Sequence, residues 1–268
     1  MTSHGGHRAR KRFGQNFLHD QQVITRIVKA IVPRAGETLI EIGPGQGAIT
    51  APLLAAAGTL TTIEIDRDLA TLLRTRFGDN SGFRLIEQDV LRVDFTTLAQ
   101  GPDSLRILGN LPYNISTPLL FHLLRYRDLI HDMVFMLQRE VVERLAAQPG
   151  DPDYGRLSVM LQYHCRVDAL FNVPPGAFVP QPKVESAIVR LSPWRPLPHP
   201  ALNEARLATV VRTAFSQRRK TLRNTLKGLI TPAQLATLEL DDGLRPEKLA
   251  LADYVRIADF LEQQGSLP

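Results

Sequence analysis

Four consecutive residues, Asn110-Leu111-Pro112-Tyr113, place an amide, a rigid turn and an aromatic ring directly after the apolar run LRILG. The Asn side-chain oxygen and a main-chain carbonyl near Pro112 can accept the two N–H bonds of an exocyclic amine, which orients the lone pair on that nitrogen. Pro112 restricts the turn, and Tyr113 offers a ring on which an extruded base can stack for roughly 1–3 kcal/mol. Alone, Asn-x-Pro-Tyr reads equally as a rigid loop with a packed tyrosine, so the decision rests on what precedes it.

Upstream, LIEIG runs into Gly43, Gly45 and Gly47 and then a helical stretch. Flexible backbone there lets a ligand approach the carboxyl edge of a sheet. Gly43-x-Gly45-x-x-Ala48 also satisfies the dinucleotide fingerprint, which keeps a nicotinamide-dependent enzyme in view, and tight-turn glycines without any ligand are common. Glu64, 21 positions after Gly43, ends the next strand, where a carboxylate accepts both ribose hydroxyls of an adenosine-containing cofactor. Asp66 is the second choice, since a carboxylate at a helix start is more often a cap. Asp89 follows a third strand and suits the amino group of an adenine, or equally a helix cap.

The elements that position these residues follow from periodicity. Asp20 caps a helix with apolar positions Val23, Ile27 and Ile31. Thr38–Ile42 and Leu60–Ile65 read as buried strands joined by a crossover helix at Pro52–Ala57, a βαβ unit. Arg84–Glu87, Leu105–Leu108 and Met133–Leu137 are further strands, separated by helical stretches at Leu69–Phe77 and Pro118–Arg125. Val167–Val173 and Ala187–Leu191, flanking the Pro-rich stretch Pro174–Pro182, suggest an antiparallel edge. The expected fold is α/β: a Rossmann-like, mainly parallel sheet followed by a small all-α C-terminal domain.

The boundary falls in SPWRPLPHP, whose four prolines no helix or central strand accommodates. It divides the chain into a catalytic domain, 1–195, and a helical domain, 196–268. Helical patterns in the latter run over Leu202–Phe215, Gln217–Leu229, Pro232–Leu238 and Leu251–Gln263.

Composition excludes whole classes. The 268 residues are 44% hydrophobic and 22% charged, an ordinary globular mixture, neither disordered nor collagenous. One cysteine, Cys165, forms no intrachain disulfide, and the seven histidines form no ligand-spaced cluster with it, so no metal site is expected. No apolar run approaches the roughly 18 residues of a membrane span, and the basic start RARKR leads into no signal-peptide core. A cytoplasmic location is expected. The net charge of +5 makes nucleic acid the first candidate partner. The strongest cluster is Phe215–Leu229, with Arg218, Arg219, Lys220, Arg223 and Lys227 and no acid. In a helix Arg219, Arg223 and Lys227 share one face, although a charge run is commonly a solvated face.

NLPY resembles the NPPY-type motif of adenine-N6 and related amino methyltransferases, which use S-adenosylmethionine. GQNFL from Gly14, EIGPGQG from Glu41, GNLPYNIST from Gly109, YGRLSV from Tyr154, FVPQPKVES from Phe178 and FSQRRKTLRNTL from Phe215 follow in order. From about Lys11 to near the C-terminus the chain resembles the bacterial small-subunit ribosomal RNA adenine dimethyltransferase A family.

That resemblance implies cofactor binding by Gln15, Asn16, Leu18, Gly43, Glu64, Asp89 and Asn110, with Gly45 in the same glycine loop. It makes Asn110, Pro112, Tyr113 and Phe178 the catalytic set, Tyr113 and Phe178 holding the target base. GQNFL becomes a cover over the cofactor, where its residue types alone suggest a tail with Phe17 and Leu18 packed on the core. Phe178 likewise suits a core aromatic by type. The basic cluster becomes an RNA contact. The implied reaction is in-line transfer of the sulfonium methyl of S-adenosylmethionine to adenine N6, twice on each of two adjacent adenosines in the 3′-terminal hairpin loop of 16S rRNA. The implied partner is a small-subunit assembly intermediate, bound by a monomer. The rivals are a large-subunit rRNA adenine methyltransferase, against which the FSQRRKTLRNTL segment argues, and an assembly factor whose methyl transfer is secondary.

Overall fold

A computed structural model describes residues 16–112, 115–217 and 219–265. In chain order the elements are β1 (Phe17–Leu18), α1 (Gln21–Ile31), β2 (Thr38–Ile42), α2 (Thr50–Ala57), β3 (Leu60–Glu64), α3 (Arg67–Phe77), β4 (Phe83–Glu87), β5 (Leu105–Asn110), α4 (Ser116–Leu124) and β6 (Ile130–Gln138). They continue with α5 (Arg139–Ala146), α6 (Arg156–His164), β7 (Cys165–Val173), β8 (Phe178–Val179), β9 (Ser186–Pro193), α7 (Glu204–Ala214), α8 (Leu222–Thr225), α9 (Pro232–Thr237) and α10 (Leu251–Gln263).

Seven strands form one sheet in the order β4-β3-β2-β5-β6-β9-β7. The first five are mutually parallel, and β9 runs antiparallel to β6. Because β3 and β5 lie on opposite sides of β2, the winding reverses there, and the crevice at the carboxyl ends of β2 and β5 is the place where open α/β sheets bind ligands. β2 is buried at four of its five positions, the near-continuous apolar run expected of a parallel strand covered on both faces. α1 begins where Asp20 Oδ1 accepts from the amides of Gln22 and Val23 at 2.8 and 3.1 Å, as its sequence predicts, and it buries Ile24, Ile27 and Ile31.

Towards the amino end of the sheet Arg106, on β5, donates to both oxygens of Asp132 on β6 at 2.8 and 2.9 Å. It also donates to Glu37 at 2.7 Å and to the Ile31 and Val32 carbonyls that end α1. A guanidinium bonded in this way joins helix to sheet without an uncompensated buried charge. β1 and β8 form a separate antiparallel pair, with Leu18 opposite Phe178.

The chain divides into two compact units, residues 1–142 with 168–193, and residues 143–167 with 194–268. The second unit thus takes in a segment well ahead of the boundary expected from the prolines. That segment carries α6, a helix that the sequence pattern does not announce. Its Gln162 Nε2 donates to the carbonyls of Leu145 and Ala147 at 2.9 and 2.8 Å. Within the same unit α7 and α10 are tied by Arg206 and Glu262 at 3.1 Å, and the Phe215 ring meets Tyr154 edge-on and Tyr254 at a tilt.

The expected helix over Gln217–Leu229 is a correction. Among its described residues only Leu222–Thr225 is helical, because the Leu222 and Arg223 amides donate to the Leu244 and Asp242 carbonyls at 2.8 and 3.0 Å instead of continuing an upstream helix. Arg219, Arg223 and Lys227 therefore do not share a helix face.

Candidate active site

Parallel pairing sets the strand ends side by side. Ile42 pairs with Ile63 on one side and Gly109 on the other, so Gly43, Glu64 and Asn110 leave the sheet at one level. The Gly43 amide donates to the Ile63 carbonyl at 2.9 Å and the Leu111 amide to the Met136 carbonyl at 3.2 Å, which holds the glycine loop and the NLPY segment against the sheet. Gly109 is required by space: a Cβ there would lie 2.3 Å from the Ile42 carbonyl oxygen. Gly45 has φ +58, and a Cβ on it would meet the Phe17 ring at 3.3 Å, so β1 lies directly over the glycine loop.

Together these elements enclose a cavity of about 360 Å³ lined by Asn16, Leu18, Gly43, Gly45, Glu64, Asp89, Asn110 and Pro112. Its size suits a small-molecule or cofactor site. The backbone-open cradle at the glycines and the carboxylates at the ends of β3 and β4 match the hydroxyl and amino groups of an adenosine. Asp89 both lines the cavity and caps the short turn after β4, accepting from the Leu91 amide at 3.0 Å, so its two readings hold together. Asp66 is 1% exposed and caps α3 through the Asp68 amide; it does not line the cavity.

The side-chain amide of Asn110 donates through Nδ2 to the Asn16 carbonyl at 3.2 Å. With the NH2 group so engaged, Oδ1 is the end left to accept from an amine. Pro112 lines the same cavity; Tyr113 and Gln15 lie outside the described residues.

Phe178 departs from expectation. It is 1% exposed, belongs to the core cluster with Leu18, Val173 and Ala177, and does not line the cavity. Its ring offers no face to a base in this conformation, because β8 turns it inward against β1. Its neighbour Val179 points out, 60% exposed.

Of the basic cluster, Arg219, Lys220 and Lys227 are exposed, and Arg218 lies outside the described residues. Arg223 is held by Asp242 through a bidentate pair at 2.7 and 2.9 Å. It is thus partly neutralised in place, which the local absence of acids in the sequence concealed.

One charged lining residue escapes a reading of the sequence, Glu41. The signal for Glu41 is a lone carboxylate inside the buried strand TLIEI, just ahead of the glycine loop. It is 2% exposed and accepts from Thr50 Oγ1 at 2.6 Å. Burial pushes its carboxyl up to about 7, the Thr50 hydrogen bond opposing this and the nearby Glu64 adding to it. Glu64 is raised too, mainly by burial, against amide donors at Asp66, Gly45 and Ile65.

A family model described as ribosomal RNA adenine dimethylase matches residues 6–263. The chain is 60% identical over 264 residues to "Ribosomal RNA small subunit methyltransferase A" of Pseudomonas putida, covering 98% of this chain and 99% of that protein. Among solved structures it is similar to a dimethyladenosine transferase from Plasmodium falciparum, with TM-score 0.78, 26% identity and coverage of 93% and 98% of the two chains. It is also similar to the 23S rRNA methyltransferase ErmE, with TM-score 0.71, 25% identity and coverage of 92% and 100%.

Proposed function

The chain belongs to the ribosomal RNA adenine dimethylase family, and from that premise we propose that it dimethylates N6 of two adjacent adenosines in the 3′-terminal hairpin loop of 16S rRNA, using S-adenosylmethionine. Identity to small-subunit methyltransferases at 60%, against 25% to a 23S enzyme, supports the small-subunit target over the large-subunit rival.

The observation that carries the reading is the placement of Asn110 in the cavity lining with its amide NH2 held by Asn16. The bound donor supplies an already activated methyl group, so the protein's work is alignment, which can recover about 7–11 kcal/mol. Glu64 and Asp89 hold the adenosine part of the donor, and the glycine loop lets it approach the sheet. Asn110 Oδ1 and a carbonyl near Pro112 accept the two N6 hydrogens of the target adenine. That hydrogen bonding favours a tetrahedral nitrogen, and it strengthens as the N–C bond forms. Because a sulfonium donor would depart as a neutral thioether, no residue would be needed to protonate the leaving group, and the proton lost from N6 would pass to solvent. Tyr113 stacks on the extruded base. Phe178 acts through β8, holding β1 over the donor, and its base-holding role is given up.

The RNA is met within a partly assembled small subunit, in the cytoplasm, by a monomer; Arg219, Lys220 and Lys227 contact phosphates. Among the described residues no helix is long and apolar enough to cross a membrane. The test is labelled methyl transfer to small-subunit particles lacking the modification, with large subunits alongside. Dimethyladenosine in small-subunit RNA alone is the expected product; label in the large subunit overturns the target, and no label with retained particle binding leaves an assembly factor.

A further inference from the structure

The loop between β2 and α2 combines great backbone freedom with a tie from outside the cavity. Gly43, Gly45 and Gly47 stand at φ +65, +58 and +80, and a segment with three such glycines loses more conformational entropy on being ordered than one of ordinary residues. A ligand binds it more tightly when the order is already in place. Two contacts from the last turn of α3 supply that order. A Cβ on Gly47 would lie 2.7 Å from the Phe77 ring, so the ring packs directly on the loop, and Arg76 Nη1 donates to the Gln46 carbonyl at 2.8 Å.

Gln46 lines the cavity and Arg76, which is exposed, does not, so the guanidinium acts on the loop backbone from its outer side. Arginines in the last turn of a helix commonly turn to the final carbonyls of that helix; this one reaches a carbonyl 30 residues away in the chain. In the same turn Arg74 is committed to Glu87 at 2.6 Å. Among the described residues Arg76 takes part in no ion pair, and its other contact is the Phe77 ring, whose centroid lies 5.2 Å from Cζ. One residue inward from Gln46, the Gly45 amide donates to the Glu64 carboxylate, the group read above as holding the adenosine part of the donor. The contacts thus run from Arg76 through Gln46 and Gly45 to Glu64.

We propose that Arg76 is a positioning residue for donor binding: it fixes the Gln46 peptide, and with it the glycine loop and the amide that Glu64 accepts, before the donor arrives. The inference rests on the cavity being the S-adenosylmethionine site. Without Arg76 the loop visits the other backbone arrangements open to its glycines, and the apparent affinity falls with the fraction of time spent in the productive one. Once the donor is seated, methyl transfer proceeds as before. Charge alone predicts the reverse, since a sulfonium cation that loses a neighbouring guanidinium binds more tightly, so the sign of the effect separates the two.

The test is titration calorimetry of the full chain with S-adenosylmethionine and with S-adenosylhomocysteine, alongside steady-state methyl transfer to small-subunit particles lacking the modification. Arg76→Ala is expected to weaken both ligands alike, roughly fivefold, as for a loop that is productive about a fifth of the time. The donor KM rises by the same factor, while kcat at saturating donor, the KM for particles and the urea midpoint stay close to wild type. Arg76→Lys keeps a cationic hydrogen-bond donor and recovers most of the affinity. Arg74→Ala, which removes an equal charge from the same turn, leaves the affinity unchanged. Unchanged or tighter binding in Arg76→Ala overturns the proposal, as does a loss of kcat as large as the loss of affinity, an equal weakening in Arg74→Ala, or an Arg76→Lys variant no better than Ala. A wild type that binds neither ligand saturably removes the reading of the cavity itself, and the proposal with it.

Discussion

The side-chain amide of Asn110 and the main-chain carbonyl of Asn16, 94 residues apart in the chain, meet at 3.2 Å. One end of the NLPY amide is thereby spent on the segment that covers the cavity, and the other end is aimed. The same segment, 16–18, also lays Phe17 over Gly45 and pairs Leu18 with Phe178. Glycine loop, NLPY and FVPQP are each touched by it, so the order of the cover and the alignment of the acceptor are a single property.

Asn110→Ala removes the acceptor and the tie together. The expected result is a loss of methyl transfer of about 10²-fold or more, with particle binding kept, since phosphate contacts elsewhere supply that affinity. Labelled transfer and co-sedimentation with small subunits, run on the same preparation, separate the two. Equal losses in both would count against the alignment role.

Gly109→Ala is expected to destabilise without touching any polar side chain. Its Cβ would sit 2.3 Å from the Ile42 carbonyl oxygen, and a backbone atom in a paired strand has no flexible end to give way. Overpacking of this kind costs about 1–3 kcal/mol or more, read as a lower urea midpoint with an unchanged slope.

Glu41 makes the free protein's stability depend on pH in a definite direction. Its carboxyl is raised from the ordinary 4.5 to about 7, so the folded chain binds more protons than the unfolded one between these values. Stability is then greatest below about 4.5 in this contribution and falls as pH rises towards 7, by up to about 3 kcal/mol. Glu41→Gln abolishes that fall, and urea titrations of both proteins at pH 5.5 and 7.5 measure it. A wild type that gains as much on this interval as the variant would contradict the assignment.

The basic cluster divides by partner. Arg219→Ala with Lys220→Ala is expected to weaken RNA binding and lower the salt slope by up to about 2, roughly one for each phosphate no longer neutralised. Arg223→Ala lowers it less, because Asp242 already holds that guanidinium. Binding to small-subunit RNA at several salt concentrations distinguishes them, and a fall of about one for Arg223→Ala, the full share of one phosphate, would mean that Arg223 leaves Asp242 on binding.

Local pattern determined a great deal here. The parallel strands were legible because burial on both faces favours short, mostly apolar runs such as Thr38–Ile42 and Leu105–Leu108, each carrying a single charged residue, Glu41 or Arg106, and both lie within observed strands. Asp20 as a cap and α10 at Leu251–Gln263 were legible because hydrogen bonds and periodicity within a few residues define them. Gly43, Glu64, Asp89 and Asn110 were legible as strand-end residues, and the sheet brings them to one cavity. Tertiary structure decided what depends on partners far away in the chain. The 217–229 segment has helical periodicity, yet amides at 222 and 223 prefer carbonyls at 244 and 242. Phe178 has the type of a stacking residue, yet pairing of β8 with β1 turns it into the core. Glu41 looks like any charged residue in a strand until burial, with Glu64 beside it, raises its carboxyl well above the usual range. Hydrogen bonds within a turn and apolar periodicity are properties of neighbouring residues and can be read along the chain; burial, register and the charges facing a group are set by whatever packs against it, and only the folded arrangement supplies those neighbours.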